Sequence, residues 1–342
     1  MTGSAGRYAE LAAAVRSFKA ELLQPNQYER FLETGSLSET VSMITAGHIT
    51  SVEESDLNPV EAYLIERITQ LTQRLAAYAP YDSKQLITLF STGFEYACIK
   101  EILKAIAEQV SPEEALKHII PAGRLTSDRC KDLIETHNPT RVLEMIDDEG
   151  LRRFVAPRLT GDKGGLQAAS TIDQYYYARL WAASNLPDPL DTQSAKGLIG
   201  QLIDHANILL ALRARLIGLD ARSASDLLIP VNYALGHAFS ELPDATNVQN
   251  VARTLEKTPY GNSFETSALL DGKAVERALL RSHAATCLNA FAGSPFNVGL
   301  ALAFFFLKNY ELRDIFSLLN GKANNAPSDQ VLDSLILRKF SA

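Results

Sequence analysis

Cysteine is scarce in this 342-residue chain, with only Cys98, Cys130 and Cys287, and none sits in a C-x-x-C pair. An odd number of widely separated cysteines argues against a disulfide framework and a cysteine-built zinc site, and fits a reducing compartment. Glycine (19) and proline (14) together make up about a tenth of the residues, too few for a fibrous or low-complexity protein. Long apolar runs are missing as well. The most apolar stretch, Val298–Leu307, is ten residues long, half of the ~20 that a membrane-spanning helix needs. Near the N-terminus, Arg7, Glu10, Arg16, Lys19 and Glu21 interrupt any apolar segment of secretory length. The expectation is a soluble chain that meets a membrane only through another protein. Basic character is lacking too: a net charge of −7 and a pI of about 5.5 speak against nucleic acid as the main partner. With 46% hydrophobic and 21% charged residues, the composition is that of a folded protein rather than a disordered one.

Signatures of chemistry are equally thin. There is no G-x-x-x-x-G-K-[ST] sequence, so no P-loop nucleotide site is expected. The glycine-rich Gly161–Gly165 has neither a strand before it nor a Ser or Thr after its Lys163, and it reads as a surface loop. The histidines His48, His118, His137, His205, His237 and His283 form no H-x-x-x-H or H-E-x-x-H pair, which leaves a zinc site without support. His205, beside Asp204, reads as a helix residue without a functional role. All-α enzymes of this size include the isoprenoid synthases, which hold magnesium diphosphate on an Asp-rich DDxxD helix. The nearest match, Asp147-Asp148-Glu149-Gly150-Leu151, has Leu in the last acidic position, and Asp188-Pro189-Leu190-Asp191 contains a proline. Both read as solvated helix ends or turns. No catalytic residue, metal or cofactor is assigned.

What the chain does have is helical periodicity. Leu11, Val15, Phe18 and Leu22 recur at helical spacing within 8–23, and the same pattern covers 59–78, 84–107, 172–184, 196–218, 247–257, 274–291, 296–319 and 329–338. Strict two-residue alternation is absent. Ser83, Ser111-Pro112 and Thr126 stand as helix-start signals, and 158–170 and 320–328 read as loops. The sequence predicts an all-α protein with more than roughly two-thirds helix. Val298–Leu307, apolar all round, is expected to be buried rather than to touch lipid. Tyr175, Tyr176 and Tyr177 are expected to pack in the core.

The helices repeat. Val60-Glu61, Ile172-Asp173 and Val275-Glu276 each open a long helix, 112 and 103 residues apart, with a β-branched residue followed by an acid. A second long helix follows each: Glu95–Lys104, Asp204–Arg215 and Asn309–Phe316. A pair of short helices precedes each, at 28–44, 130–146 and 239–255, and Ser36, Asn138 or Asn247 is placed to cap the second of the pair. Ile119-Ile120-Pro121 and Leu228-Ile229-Pro230 recur ahead of the second and third. The chain therefore divides into three units of one design, 1–110, 111–218 and 219–342. A period near 100 residues is too long for the ~34–47-residue repeats of helical-repeat adaptors, the alternative reading.

The order of these segments resembles a central-stalk component of the rotary V-type and A-type ATPases, the C subunit of archaeal and bacterial complexes and the d subunit of eukaryotic ones. The resemblance rests on Arg7–Leu23, on Glu95–Lys104, which is similar to the family's acid-x-x-Asn-Leu-Lys-x-Ile-Leu-Arg helix, and on Asp173–Leu180. It continues through Asn207–Arg213, Ile229-Pro230, Thr258–Tyr260, Pro295-Phe296 and Tyr310–Arg313. Cys98 stands where the family has Asn, and Asp314 and Phe316 stand where Asn and Arg are common. The resemblance implies a funnel of three helical subdomains on the cytoplasmic face of the membrane. There it would seat the rotor shaft on the proteolipid ring and transmit torque without catalysis, so that ATP turnover is coupled to proton or sodium transport. Glu61, Asp173 and Glu276, with Lys100, Arg213 and Arg313 on the second long helices, are the candidate structural ion pairs. An Asp173–Arg213 bridge inside the second unit is expected.

Overall fold

The computed structural model describes residues 4–53, 56–159, 164–261 and 271–340. Helical periodicity becomes helix almost throughout: the structure is 73% helical, with 17 α-helices and no strand among the described residues. The first group is α1 (Ser4–Lys19), α2 (Pro25–Glu33), α3 (Leu37–Ile44), α4 (Asn58–Tyr78) and α5 (Tyr81–Ala107). The middle group is α6 (Pro112–Leu116), α7 (Ser127–Glu135), α8 (Pro139–Met145), α9 (Glu149–Val155), α10 (Gly164–Ala183) and α11 (Pro189–Leu216). The last is α12 (Ala221–Leu227), α13 (Ala238–Glu241), α14 (Val248–Leu255), α15 (Gly272–Ala290), α16 (Val298–Ala323) and α17 (Ser328–Ser334).

Local chemistry explains the boundaries. Ser36 accepts from the Glu39 N–H, Asn138 from Thr140 and Arg141, and Asn247 from Asn250, so all three capping residues take up N–H groups that the first helical turn leaves free. Ser111 and Thr126 cap α6 and α7 in the same way. Ser83, in contrast, lies inside α5, because Pro80 opens that helix. Two loop readings are corrected. Helix α10 starts at Gly164 rather than after Ser170, and α16 continues to Ala323. In both places the sequence is small and polar, which weakens a helical pattern without preventing a helix. Gly161–Lys163 lie outside the described residues.

Four main cores hold the helices together. The central one joins α1 (Tyr8, Leu11, Val15), the end of α4 (Leu75), the start of α5 (Leu86, Phe90), Leu180 of α10, the start of α11 (Leu198, Ile199) and Cys287 of α15. Val298–Leu307 of α16 run through it, and every residue of that segment is buried. Each fully buried large apolar side chain there contributes ~1.5–3 kcal/mol to the centre. Gly299 lets α16 meet α11 there: a Cβ would fall 2.7 Å from the Cβ of Ser194. Three outer cores surround it. One joins Ile99 and Ile102 of α5 to α7–α9 and Ile172 of α10. The next joins Ile208 and Leu212 of α11 to Val251 and Leu255 of α14 and Val275 of α15. The last joins Ile315 and Leu318 of α16 to Tyr28, Val41 and Val60 of the N-terminal helices. Each outer core thus combines the second half of one long helix, a set of short helices and the start of another long helix.

Candidate functional site

Three helix pairs, α4–α5, α10–α11 and α15–α16, fold back through short turns that contain Pro80, Pro187 and Pro295. Their tips meet at a buried polar node. The Tyr8 hydroxyl from α1 lies 2.6 Å from Ser83 Oγ of α5 and donates to Asp191 Oδ2 of α11 at 2.6 Å. The other oxygen of Asp191 accepts the N–H of Val298, the first residue of α16, at 2.9 Å. One carboxylate and one phenol therefore pin the starts of three long helices. Burial, and then the Asp191 carboxylate, push the Tyr8 phenol above its ordinary value, so it stays a donor. Asp191 is 2% exposed, which corrects the reading of Asp188–Asp191 as a solvated turn. Only Asp188 behaves as a turn residue, capping α11 through the Leu190 N–H.

Around this node each tip exposes a large apolar side chain. Tyr81 is 92% exposed and Tyr78 48% on the first tip, Leu190 64% on the second and Phe296 37% on the third. Among the described residues, four of the seven exposed large apolar side chains thus lie at the three tips. Nothing in the sequence pattern distinguishes Tyr81 or Leu190, because an apolar residue beside a proline turn does not reveal whether it faces inward.

Three ion pairs form among the candidate residues. Asp173 of α10 meets Lys100 of α5 at 2.7 Å. Glu276 of α15 accepts from Arg213 of α11 at 3.3 Å, and from Arg313 of α16 at 3.1 Å. The expected Asp173–Arg213 bridge does not form: Arg213 acts on Asp173 only through its charge. Burial still pushes the Asp173 carboxyl up, with Lys100 opposing the shift. Glu61 of α4, also pushed up by burial, is opposed by the side chain of Asn320 on α16. Asn320 stands nine residues after Glu311, as Arg213 stands nine after Asp204. Asn320, rather than Arg313, is the residue of α16 that faces Glu61.

A second set of acids shares one role that sequence reasoning does not reveal. Glu95, Asp204 and Glu311, at corresponding places on α5, α11 and α16, each accept backbone N–H groups from an incoming segment. Glu95 accepts from Arg124 at 3.1 Å, Asp204 from Tyr233 at 3.1 Å and Ala234 at 2.6 Å, and Glu311 from Leu23 at 2.6 Å. Three residues later on each helix stand Cys98, Asn207 and Asp314. Asn207 accepts from Ile229 N at 2.8 Å and donates to the carbonyls of Ile229 and Val231, fixing the segment around Pro230. Asp314 accepts from Ile336 at 2.6 Å and Leu337 at 2.8 Å. Burial pushes its carboxyl up to about 7, against the pull of those two N–H groups. Cys98 instead packs its sulfur 3.4 Å from that of Cys130.

A protein-family model described as "ATP synthase (C/AC39) subunit" matches residues 11–333. The chain belongs to this family. Three archaeal relatives, each named as the C subunit of an A-type ATP synthase, are similar over most of their length. The Methanosphaera stadtmanae protein is 25% identical, with 95% of this chain and 86% of the relative covered. The Methanocaldococcus jannaschii protein is 23% identical (96% and 86%), and the Methanobrevibacter smithii protein 22% (96% and 88%). The family resemblance carried by the sequence is thereby shown, and its departures have physical consequences. Where Asn207 recruits a loop backbone, Cys98 offers only a weak thiol partner. Asp314 compensates for its charge with two N–H donors.

Among the described residues of this C/AC39 chain, no three His, Cys, Asp or Glu side chains come close enough to hold a metal ion. No described helix is long and apolar enough to cross a membrane. Buried His205 leaves both ring nitrogens without a hydrogen-bond partner. Burial and the neighbouring His283 hold it well below its ordinary pKa, so it is a neutral core residue at physiological pH.

Proposed function

We propose that this chain is the non-catalytic central-stalk socket of a rotary A/V-type ATPase. It seats the rotating shaft on the proteolipid ring and passes torque between the ATP-handling head and the ion-carrying ring. In this reading it lies on the cytoplasmic face of the membrane as a peripheral component. Its units 1–110, 111–218 and 219–342 stand around a pseudo-threefold axis in a funnel-shaped body.

The observation that carries this reading is the convergence of three helix pairs on the Tyr8–Asp191 node. A part that transmits torque must resist shear between its helices, and a buried charge-assisted node does so at the point where the tips meet. The contacts between units add to it. Lys100–Asp173 links the first unit to the second, Arg213–Glu276 the second to the third, and Glu61 faces Asn320 of the third. That cycle supports a closed body over the open stack of a helical-repeat adaptor. The exposed tips with Tyr81, Leu190 and Phe296 are the surface best suited to the ring.

The test is a pulldown of the tagged chain from detergent-solubilised membranes of its own source. Shaft and proteolipid subunits should come with it. Recovery of the chain alone, or with unrelated partners, would contradict the role.

A further inference from the structure

A cleft of about 760 Å³ opens between α4 on one side, α2 and the end of α3 on the other, and α16 at the floor. Neither the node nor the contacts between units involve it. One face of α4 supplies Leu64, Arg67, Ile68, Leu71 and Arg74, and Arg30 projects from α2 opposite. At the floor, Lys308 and Glu311 neutralise each other at 2.6 Å. That leaves Arg30, Arg67 and Arg74 against the single acid Glu21, in a chain whose net charge is −7.

Two of these arginines are held in place without being neutralised. The Arg67 guanidinium lies 6.0 Å from the Tyr63 ring and Arg74 lies 5.1 Å from the Phe18 ring. Among the described residues, no carboxylate comes within ion-pair distance of Arg30, Arg67 or Arg74. Arg67 gives one N–H to the Tyr63 hydroxyl at 3.4 Å; the other N–H groups of both guanidinia remain, and such a planar fork fits a carboxylate.

Spacing decides between a small anion and a longer partner. Arg67 and Arg74 are seven residues apart on one helix, about 10 Å along its axis. That is too far for both to clamp one phosphate, yet it equals one heptad of a helix lying alongside. Beside them on the same face, the half-buried Leu64, Ile68 and Leu71 form an apolar strip. We propose that the cleft docks an acidic amphipathic helix of a partner protein, whose carboxylates one heptad apart meet Arg67 and Arg74 while its apolar stripe packs on that strip. This deepens the assembly reading and rests on it for the existence of a partner, but its test does not depend on that reading.

The probe is a synthetic 21-residue amphipathic helix of Leu, Ala and Glu, with Glu at heptad spacing, and a twin in which each Glu is Lys. Binding to the full chain is followed by fluorescence anisotropy at low and high salt. The acidic peptide should bind about tenfold or more tighter than its twin at low salt, and the gap should close as salt rises. The variant with both Arg67→Glu and Arg74→Glu should reverse the preference. Both positions are exposed, so its melting temperature should stay at the wild-type value. Equal binding of the two peptides, no binding of the acidic one, or an unchanged preference in the double variant would overturn the proposal. Complete displacement of the acidic peptide by millimolar inorganic phosphate would also overturn it, in favour of a small-anion site. A failure here would leave the stalk role standing, because the pulldown and coupling measurements read that role separately.

Discussion

His283 illustrates what burial does to a single side chain in this protein. Its Nε2 lies 2.9 Å from the Leu198 carbonyl and must donate, so Nδ1 accepts the Tyr310 hydroxyl at 2.5 Å. Burial pushes its pKa down to about 4. In the unfolded chain an imidazole titrates near ~6.5. The neutral ring therefore contributes its full stability above pH ~6.5 and loses it as the pH falls toward 4, by at most ~3 kcal/mol. Asp314 acts in the opposite sense. Its raised carboxyl takes a proton sooner in the native state, so its contribution grows as the pH falls below about 7. Urea unfolding at several pH values, from about 7 down to about 4, should show wild type losing up to ~3 kcal/mol relative to His283→Gln. A flat difference would mean that His283 titrates normally. For Asp173, whose side chain is 34% exposed beside a Lys100 that is 26% exposed, water screens the pair. A double-mutant cycle on Asp173→Asn and Lys100→Met should give a coupling of about 1 kcal/mol. The same cycle with Arg213→Met should come out near zero.

At the level of helices, most of the structure was legible in the sequence. Apolar spacing marks the long helices, and Ser36, Asn138 and Asn247 mark the caps, because both depend on residues within one or two turns. What escaped depended on tertiary contact. The fate of Asp191 is set by Tyr8, 183 residues away, and the partner of Glu61 lies on the last long helix. Acids at matching positions are visible in the sequence; which neighbouring helix supplies the cation is not, because each partner lies far away in the chain, as Lys100 does from Asp173 and Arg213 from Glu276. Loop and helix are confused at 164–170 for a different reason: glycine and alanine carry too little hydrophobic contrast to reveal a period. The buried Asn207 offers a sharp test at this scale. Asn207→Ala would strand the Ile229 N–H and two carbonyls, and should cost ~2–4 kcal/mol in denaturant unfolding. Ser36→Ala, at an exposed cap, should cost ~1 kcal/mol. Equal costs at the two sites would mean that the loop at Pro230 finds other partners.

For the whole molecule, the central core and the three outer cores divide the work. Outer cores hold each set of short helices on a long-helix end, while the centre gathers the three tips and α1. Under the stalk reading, the tips carry the seat on the ring. The triple variant Tyr81→Ser, Leu190→Ser and Phe296→Ser changes only exposed side chains. It should fold with an unchanged circular dichroism spectrum and still bring down shaft subunits, yet recover proteolipid at roughly a tenth of the wild-type level or less. Undiminished proteolipid recovery would move the ring contact elsewhere on the molecule. The claim that this chain couples the two halves of a rotary machine is tested most directly by ion transport per ATP hydrolysed, measured in vesicles holding the complex with and without it. Omission should leave hydrolysis by the head and abolish ion transport. Full pumping by a complex verified to lack this chain would contradict it.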